Sequence, residues 1–304
     1  MTQVQAELKR RAPGNSPLAT ARREPDIMEI LSGVANGKTT GAPLCGMIRN
    51  GDARSKDYGT KLRPGHADLT AMLKYGGHAD MRGGGHFSGR LTGPLVFAGA
   101  VAKQLLSRKG VEVYGRITEI GGIADASNPG PADWRNLSGK VFPTVDDAAG
   151  EGMQAAILAA KSDRDSVGGV IEAVVLGTPP GLGEPFFRSV ESELAGLLFS
   201  VPAVKGVSFG DGFSLSRLRG SQANDEILRD GDRYITKTNR VGGVLGGITN
   251  GMPLVVQAAF KPTPTISLPQ QTIDSATGQP VTLESGGRHD PCIVPRAVPV
   301  VEAC

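Results

Sequence analysis

The stretch RGGGHFSGRLTGPLVFAGAVAKQLLSRKGVEVYGRITEIGG, residues 82–122, sets the fold class. Its middle reads as a helix. Apolar residues fill most of Leu95 to Leu106, Pro94 falls in the first turn, Thr92 is placed to cap it and Gly110 ends it. The segment VEVYGRITEI then alternates apolar and polar residues, the period of a half-buried strand. A glycine loop, a helix and a strand in immediate succession predict mixed α and β structure.

The same signals recur on both sides. A helix is expected to run to about Arg11, where Pro13-Gly14 breaks it. PLCGMIRN (43–50) predicts a strand, and HADLTAMLKYGG a short helix closed by Gly76. Residues 144–162 and the segment EPFFRSVESELAGLLFSV predict helices, while GVIEAVVLGT and VKGVSFG predict strands. GGVLGGITNGMPLVVQAAFKP reads as a glycine-rich turn feeding a strand. No linker or low-complexity tract divides the chain, so a single α+β domain over 1–304 is expected, with helices packed on sheets.

Composition excludes several classes. No segment approaches the roughly 20 consecutive apolar residues of a membrane helix, so no membrane partner is expected. The first residues, MTQVQAELKRRAPG, are polar and unlike a signal peptide. Cys45, Cys292 and Cys304 are an odd, widely spaced set, which fits reduced thiols in a cytoplasmic protein and no metal site. Cys292 reads as a packing residue. A net charge of +3 and 5% aromatic residues give no sign of a nucleic-acid partner. The outlier is glycine, at 43 residues about twice the usual ~7%. These glycines cluster, which means tight turns and close backbone approaches.

The glycine loop meets neither nucleotide fingerprint. Arg90 and Leu91 stand where a P-loop needs Lys and Ser/Thr, and Ser88 stands where GxGxxG needs its last glycine. A glycine loop opening a helix still offers N–H groups and a positive dipole end to an anion. Otherwise it is a packing loop. RPGHAD (63–68) and GRHDPC (287–292) add Arg63, His66, Arg288 and Asp290. A lone histidine is more often structural, and each arginine alone reads as a surface residue. Arg63, Arg90 and Arg288 together, all in Gly/Pro-shaped loops, suggest a multiply anionic ligand. Lys261, at a strand end before Pro262, is either another anion contact or an exposed terminus. The N-terminal KRR…ARRE run, flanked by Glu7, Glu24 and Asp26, reads as a solvated helix end or further arginine ligands.

Taken together, RPGHADLT, RGGGHFSGRLT, GLGEP, AVKGVSFGDGF, LRGSQANDE, GGVLGGITNGMP, KPTPTI and GRHDPCIVPRAVP resemble chorismate synthase, in family order and over almost the whole chain. The resemblance implies an α+β sandwich of antiparallel sheets and helices, usually a homotetramer. It implies a lyase of aromatic amino-acid biosynthesis that makes chorismate from 5-enolpyruvylshikimate 3-phosphate by anti-1,4-elimination. The cofactor implied is reduced FMN, with NADPH reducing the flavin in some members. Residue by residue, it implies proton handling by His66 and Asp290 and anion binding by Arg11, Arg63, Arg90 and Arg288. It implies an FMN site of His86, Phe87, Ser88, Pro202, Ala203, Gly246, Lys261, Pro262, Thr263, Pro264, Thr265 and Arg288.

The family pattern also has a first strand with a GESHG-type loop and a closing helix. Neither is matched here, so a shortened family member with impaired turnover is expected from the sequence. A flavoprotein that oxidises NADPH without forming chorismate and a non-catalytic fragment or structural homologue that retains no FMN are the other readings left open.

Overall fold

The structure is a computed structural model that describes residues 2–14, 16–20, 22, 24–51, 59–80, 82–285 and 289–304. The helices are α1 (Thr2–Arg11), α2 (Asp68–Tyr75), α3 (Thr92–Ser107), α4 (Pro131–Leu137), α5 (Asp147–Ser162), α6 (Val190–Ser200), α7 (Gly220–Ala223) and α8 (Val294–Val301). The strands in the first half are β1 (Met28–Ser32), β2 (Val34–Ala35), β3 (Lys38–Thr39), β4 (Cys45–Ile48), β5 (Glu112–Ile120), β6 (Ile123–Ala124) and β7 (Gly169–Leu176). Those in the second half are β8 (Val204–Phe209), β9 (Ile227–Asp230), β10 (Arg233–Thr236), β11 (Val244–Leu245), β12 (Ile248–Thr249), β13 (Leu254–Phe260), β14 (Gln270–Ile273) and β15 (Pro280–Leu283).

The largest sheet runs β6-β5-β7-β13-β8, and every neighbouring pair is antiparallel. The mixed α and β expectation therefore holds. β13 alternates buried and half-buried residues along its length, the pattern of a strand with two unlike faces. Register places Ile117 opposite Ile171 and Ile171 opposite Ala258. This apolar row joins Leu8 of α1, Val96 of α3, Met153 and Ile157 of α5, Leu198 of α6 and Val298 of α8 in one core. Gly115 lets α8 lie close to β5, since a Cβ there would stand 3.0 Å from Val298 Cγ1.

The other face carries a polar row. Arg116 lies opposite Glu172, and Glu172 opposite Gln257. Arg116 Nε donates to Glu172 at 2.8 Å, and Gln257 Nε2 donates to the same carboxylate at 2.9 Å. Trp134 of α4 covers the row, with its ring 5.7 Å from the Arg116 guanidinium carbon. Paired in this way, the charges tolerate burial.

Helix ends follow local chemistry. Gly76 closes α2 at φ 58°, donating its N–H to the Met72 carbonyl. Asp146 caps α5 by accepting from the Ala148 N–H at 2.8 Å. Three expectations are corrected. Thr92 does not cap α3: a 3₁₀ turn over Gly89–Leu91 leads straight in, and the Thr92 hydroxyl donates back to the Gly89 carbonyl at 2.6 Å. The helix expected from Glu184 starts only at Val190, because Phe186 is left-handed (φ 67°) and Ser189 supplies the cap. No local signal predicts a helix over 294–301, yet α8 forms there. Pro295 sits in its first turn at no cost, and Pro299 gives up one hydrogen bond.

α3 and α8 meet at Gly99, where a Cβ would stand 2.5 Å from Ala303 Cα and 2.8 Å from its carbonyl oxygen. Gly99→Ala is expected to lower stability by ~2–3 kcal/mol. Gly196→Ala, on α6 with open space around it, is expected to raise stability by ~0.5–1 kcal/mol. Urea midpoints measure both, and an unchanged Gly99→Ala protein would refute the close α3–α8 contact.

Candidate active site

A cavity of about 570 Å³ opens beside the end of β13. Its wall comes from six stretches: the end of α1 with the segment that follows it, the loop before α2, the glycine turns before α3, the α6–β8 link, the residues after β13, and the segment running into α8. Several of these turn in ways side chains resist. Gly84 and Gly65 have positive φ, and so does Ala203, at 74°. A Cβ on Gly84 would lie 3.9 Å from His66 Nε2, so the glycine loop passes close to that ring.

His66 is held by its own loop. Asp68 receives Arg63 through Nε at 2.8 Å, Nη2 at 2.7 Å and the backbone N–H at 2.9 Å. The same carboxylate lies 2.9 Å from His66 Nδ1. Arg63 Nη2 also approaches Nδ1, at 3.1 Å, so that nitrogen is held within the loop and Nε2 is the other ring nitrogen. Burial by itself would raise the Asp68 carboxyl. Its bonds to Arg63 and His66 outweigh that and hold it well below the usual carboxylate range.

The arginines of the wall mostly have internal partners. Buried Arg11 donates through Nη1 to Asp26 at 2.5 Å, through Nε to Thr92 Oγ1 at 3.0 Å and through Nη2 to the Gly89 carbonyl at 3.0 Å. Arg90 Nε donates to Glu24 at 3.1 Å, and Arg22 Nη1 stands 3.9 Å from the same oxygen. Asp290 accepts from the Thr20 N–H at 2.9 Å and from Arg296 Nη1 at 2.6 Å. Arg296 Nε also donates to the Arg11 carbonyl at 3.0 Å.

Lys261 Nζ donates to the Gly65 carbonyl at 2.5 Å, tying the end of β13 to the RPGHAD loop. Burial, and then the charge of Lys205, push its ammonium below the usual value. Thr263 Oγ1, on the same wall, is buried and has no hydrogen-bond partner among the described residues. Such an atom fits a site meant to be filled.

A family model described as chorismate synthase matches residues 1–304. The chain belongs to the chorismate synthase family. It is 50% identical over 305 residues to the chorismate synthase of Dehalococcoides mccartyi, a match spanning 99% of this chain and 84% of that one. It is 49% identical to the chorismate synthase of Thermococcus kodakarensis, with the same coverage. A chorismate synthase crystal structure superposes with a TM-score of 0.75 at 31% identity, covering 99% of this chain and 79% of that one. The α+β fold is thus the fold of chorismate synthase.

Most residues singled out by the chorismate synthase resemblance line this one cavity: Arg11, Arg63, His66, His86, Phe87, Ser88, Arg90, Pro202, Ala203, Lys261, Thr263, Pro264, Thr265 and Asp290. Two do not. Gly246 sits in the turn between β11 and β12, and Pro262 is not part of the wall. Arg288 lies outside the described residues. The cavity is also lined by Arg22 and Glu24, of the ARRE run offered above as possible arginine ligands, and by Lys205, His289 and Arg296, which sequence reasoning did not single out. Arg22 and Glu24 sat in view within ARREPD. Nothing local marks Lys205, which is one exposed residue of a strand.

Asp68→Asn tests the anchoring of His66. The Asp68 carboxyl is depressed in the fold, so its stabilisation is complete above the unfolded value of ~3.9 and fades as pH falls through the lower folded value. The variant is expected to lose ~2–4 kcal/mol at pH 7. Its stability curve should begin to converge on that of the parent as pH falls below about 4. Parallel curves down to pH 2 would refute this anchoring.

Proposed function

We propose that this chain converts 5-enolpyruvylshikimate 3-phosphate to chorismate, releasing phosphate and one proton, with reduced FMN as its cofactor. The observation that carries the reading is the convergence of His66, Asp290 and at least five cationic side chains on a single cavity. That combination suits a substrate with two carboxylates and a phosphate and a reaction that must move a proton.

The wall also fits the cofactor. Its volume lies within the range of small-molecule sites, and the partnerless Thr263 hydroxyl and the Lys205–Lys261 pair offer polar contacts for a phosphate-bearing ligand. His86, Phe87, Ser88, Pro202, Ala203 and the Lys261–Thr265 stretch would hold it. Reduced FMN, when bound, supplies electron density to the allylic system as the carbon–oxygen bond breaks.

The protein's own residues do the rest. Asp68 and Arg63 hold the His66 ring at Nδ1, so His66 exchanges a proton through Nε2. Asp290 is the second proton-handling group, held by Thr20 and Arg296. The guanidinium groups and lysines orient the substrate's anionic groups and stabilise the charge that gathers on departing phosphate. Because most of them are already fixed by internal partners, little reorganisation is needed when the ligand arrives.

The test is anaerobic. The chain is mixed with dithionite-reduced FMN and 5-enolpyruvylshikimate 3-phosphate, and phosphate release and chorismate absorbance are followed. Product is expected from the parent, and His66→Ala should lower kcat by ~10²–10⁴-fold. Flavin oxidation by substrate without chorismate would sink the reading.

A further inference from the structure

Two carboxylates line the cavity among the described residues, Asp290 and Glu24. Glu24 has no part in the proton handling above, and its placement is unusual. Its Oε1 accepts from Arg90 Nε at 3.1 Å and stands 3.9 Å from Arg22 Nη1. Arg90 comes from the turn leading into α3, and Arg22 from the segment between α1 and β1. One carboxylate therefore sits between guanidinium groups from two separate stretches of chain, on the wall of a cavity. Guanidinium groups gathered around a carboxylate oxygen are the arrangement by which proteins hold the carboxylate or phosphate of a ligand.

The surrounding charges are otherwise matched. Asp26 is taken by Arg11, and Arg296 is taken by Asp290 and the Arg11 carbonyl. Glu24 and its partners Arg22 and Arg90 all lie on the cavity wall. Burial raises its carboxyl above the usual value. Arg22 opposes this, Asp26 adds to it, and Arg296 and Arg11 oppose it again. A carboxylate so balanced gives up its charge readily once its arginines turn to another anion.

We propose that Glu24 is an internal counter-anion, occupying the Arg22–Arg90 pair until an anionic group of the ligand displaces it. The inference rests on the reading that the cavity takes a multiply anionic substrate. It adds a specificity device to that site. In the empty state Glu24 offsets part of the charge of the two arginines and lessens their mutual repulsion. A monoanion competes poorly with a carboxylate already in place, whereas a dianion wins by its second charge. Displaced Glu24 then faces the bound anion without its partners, so binding draws in a proton.

Sulfate is the probe, because it stays dianionic from pH 5 to 8. Isothermal titration of the full chain, Glu24→Gln and Glu24→Asp is made across that range. Glu24→Gln is expected to bind sulfate about tenfold more tightly than the parent at pH 8. The advantage should shrink as pH falls, since protonating Glu24 makes the parent resemble the variant. Taking the ratio of the two affinities cancels pH effects common to both proteins. Glu24→Asp keeps the charge but shortens the reach to Arg90, so it should fall between the two and provides the test if the glutamine variant does not fold. Equal or weaker sulfate binding by both variants at pH 8 would overturn the proposal, as would no sulfate binding by any of the three proteins. The chorismate assay is run in parallel. A sulfate pattern as expected with no chorismate overturns the lyase reading alone, and normal chorismate formation with no variant effect on sulfate overturns the role of Glu24 alone.

Discussion

The two ends of the chain are joined by one buried carboxylate. Glu302, just after α8, takes both guanidinium nitrogens of Arg10 at 2.6 Å and the Lys103 ammonium at 2.7 Å, while Glu7 completes the cluster from α1. Burial would raise the Glu302 carboxyl, but the Arg10 and Lys103 contacts more than offset it and keep it ionised. An unpaired charge at that depth would be strongly destabilising, so α1, α3 and α8 have to meet there. The residues beside this cluster then have no choice of direction. Arg11 follows Arg10 into the cavity wall, and Arg296, on the helix that precedes Glu302, reaches both the Arg11 carbonyl and Asp290.

Around the cavity the same economy repeats at smaller scale. Arg63 is fixed by Asp68, Arg11 by Asp26, Arg90 by Glu24 and Asp290 by Arg296. A site that must hold several negative charges needs several positive ones close together. Internal carboxylates let those cations sit side by side in the empty protein. The consequence is a division of labour. Arg11 and Arg63 are anchored through several bonds each and shape the wall. Arg22 and Arg90 share the Glu24 carboxylate.

The buried cysteine stands apart from this chemistry. Cys292 follows Asp290 by two residues, yet it lies in the apolar core, and burial pushes its thiol up to about 12. It stays a neutral packing group at physiological pH. Neighbours in sequence thus serve different ends, because one side chain faces the cavity and the other the core.

Local pattern alone was enough for much of the fold. The alternation in VEVYGRITEI, the apolar run after Pro94 and the stop at Gly76 all state short-range preferences, and β5, α3 and α2 follow them. The motifs likewise pointed to the right stretches, because loop glycines, histidines and arginines are chosen for what they do nearby. Tertiary structure decided what depends on distant partners. α8 forms despite Pro299 because its apolar face completes a core supplied by α1, α3 and the sheet. Arg10 and Glu302 are 292 residues apart in the chain, and nothing in either segment names the other. Which arginines are tied down and which share a counter-ion follows from such pairings. Chain order determines what each residue prefers, and only closure of the core determines which charges end up within reach of each other.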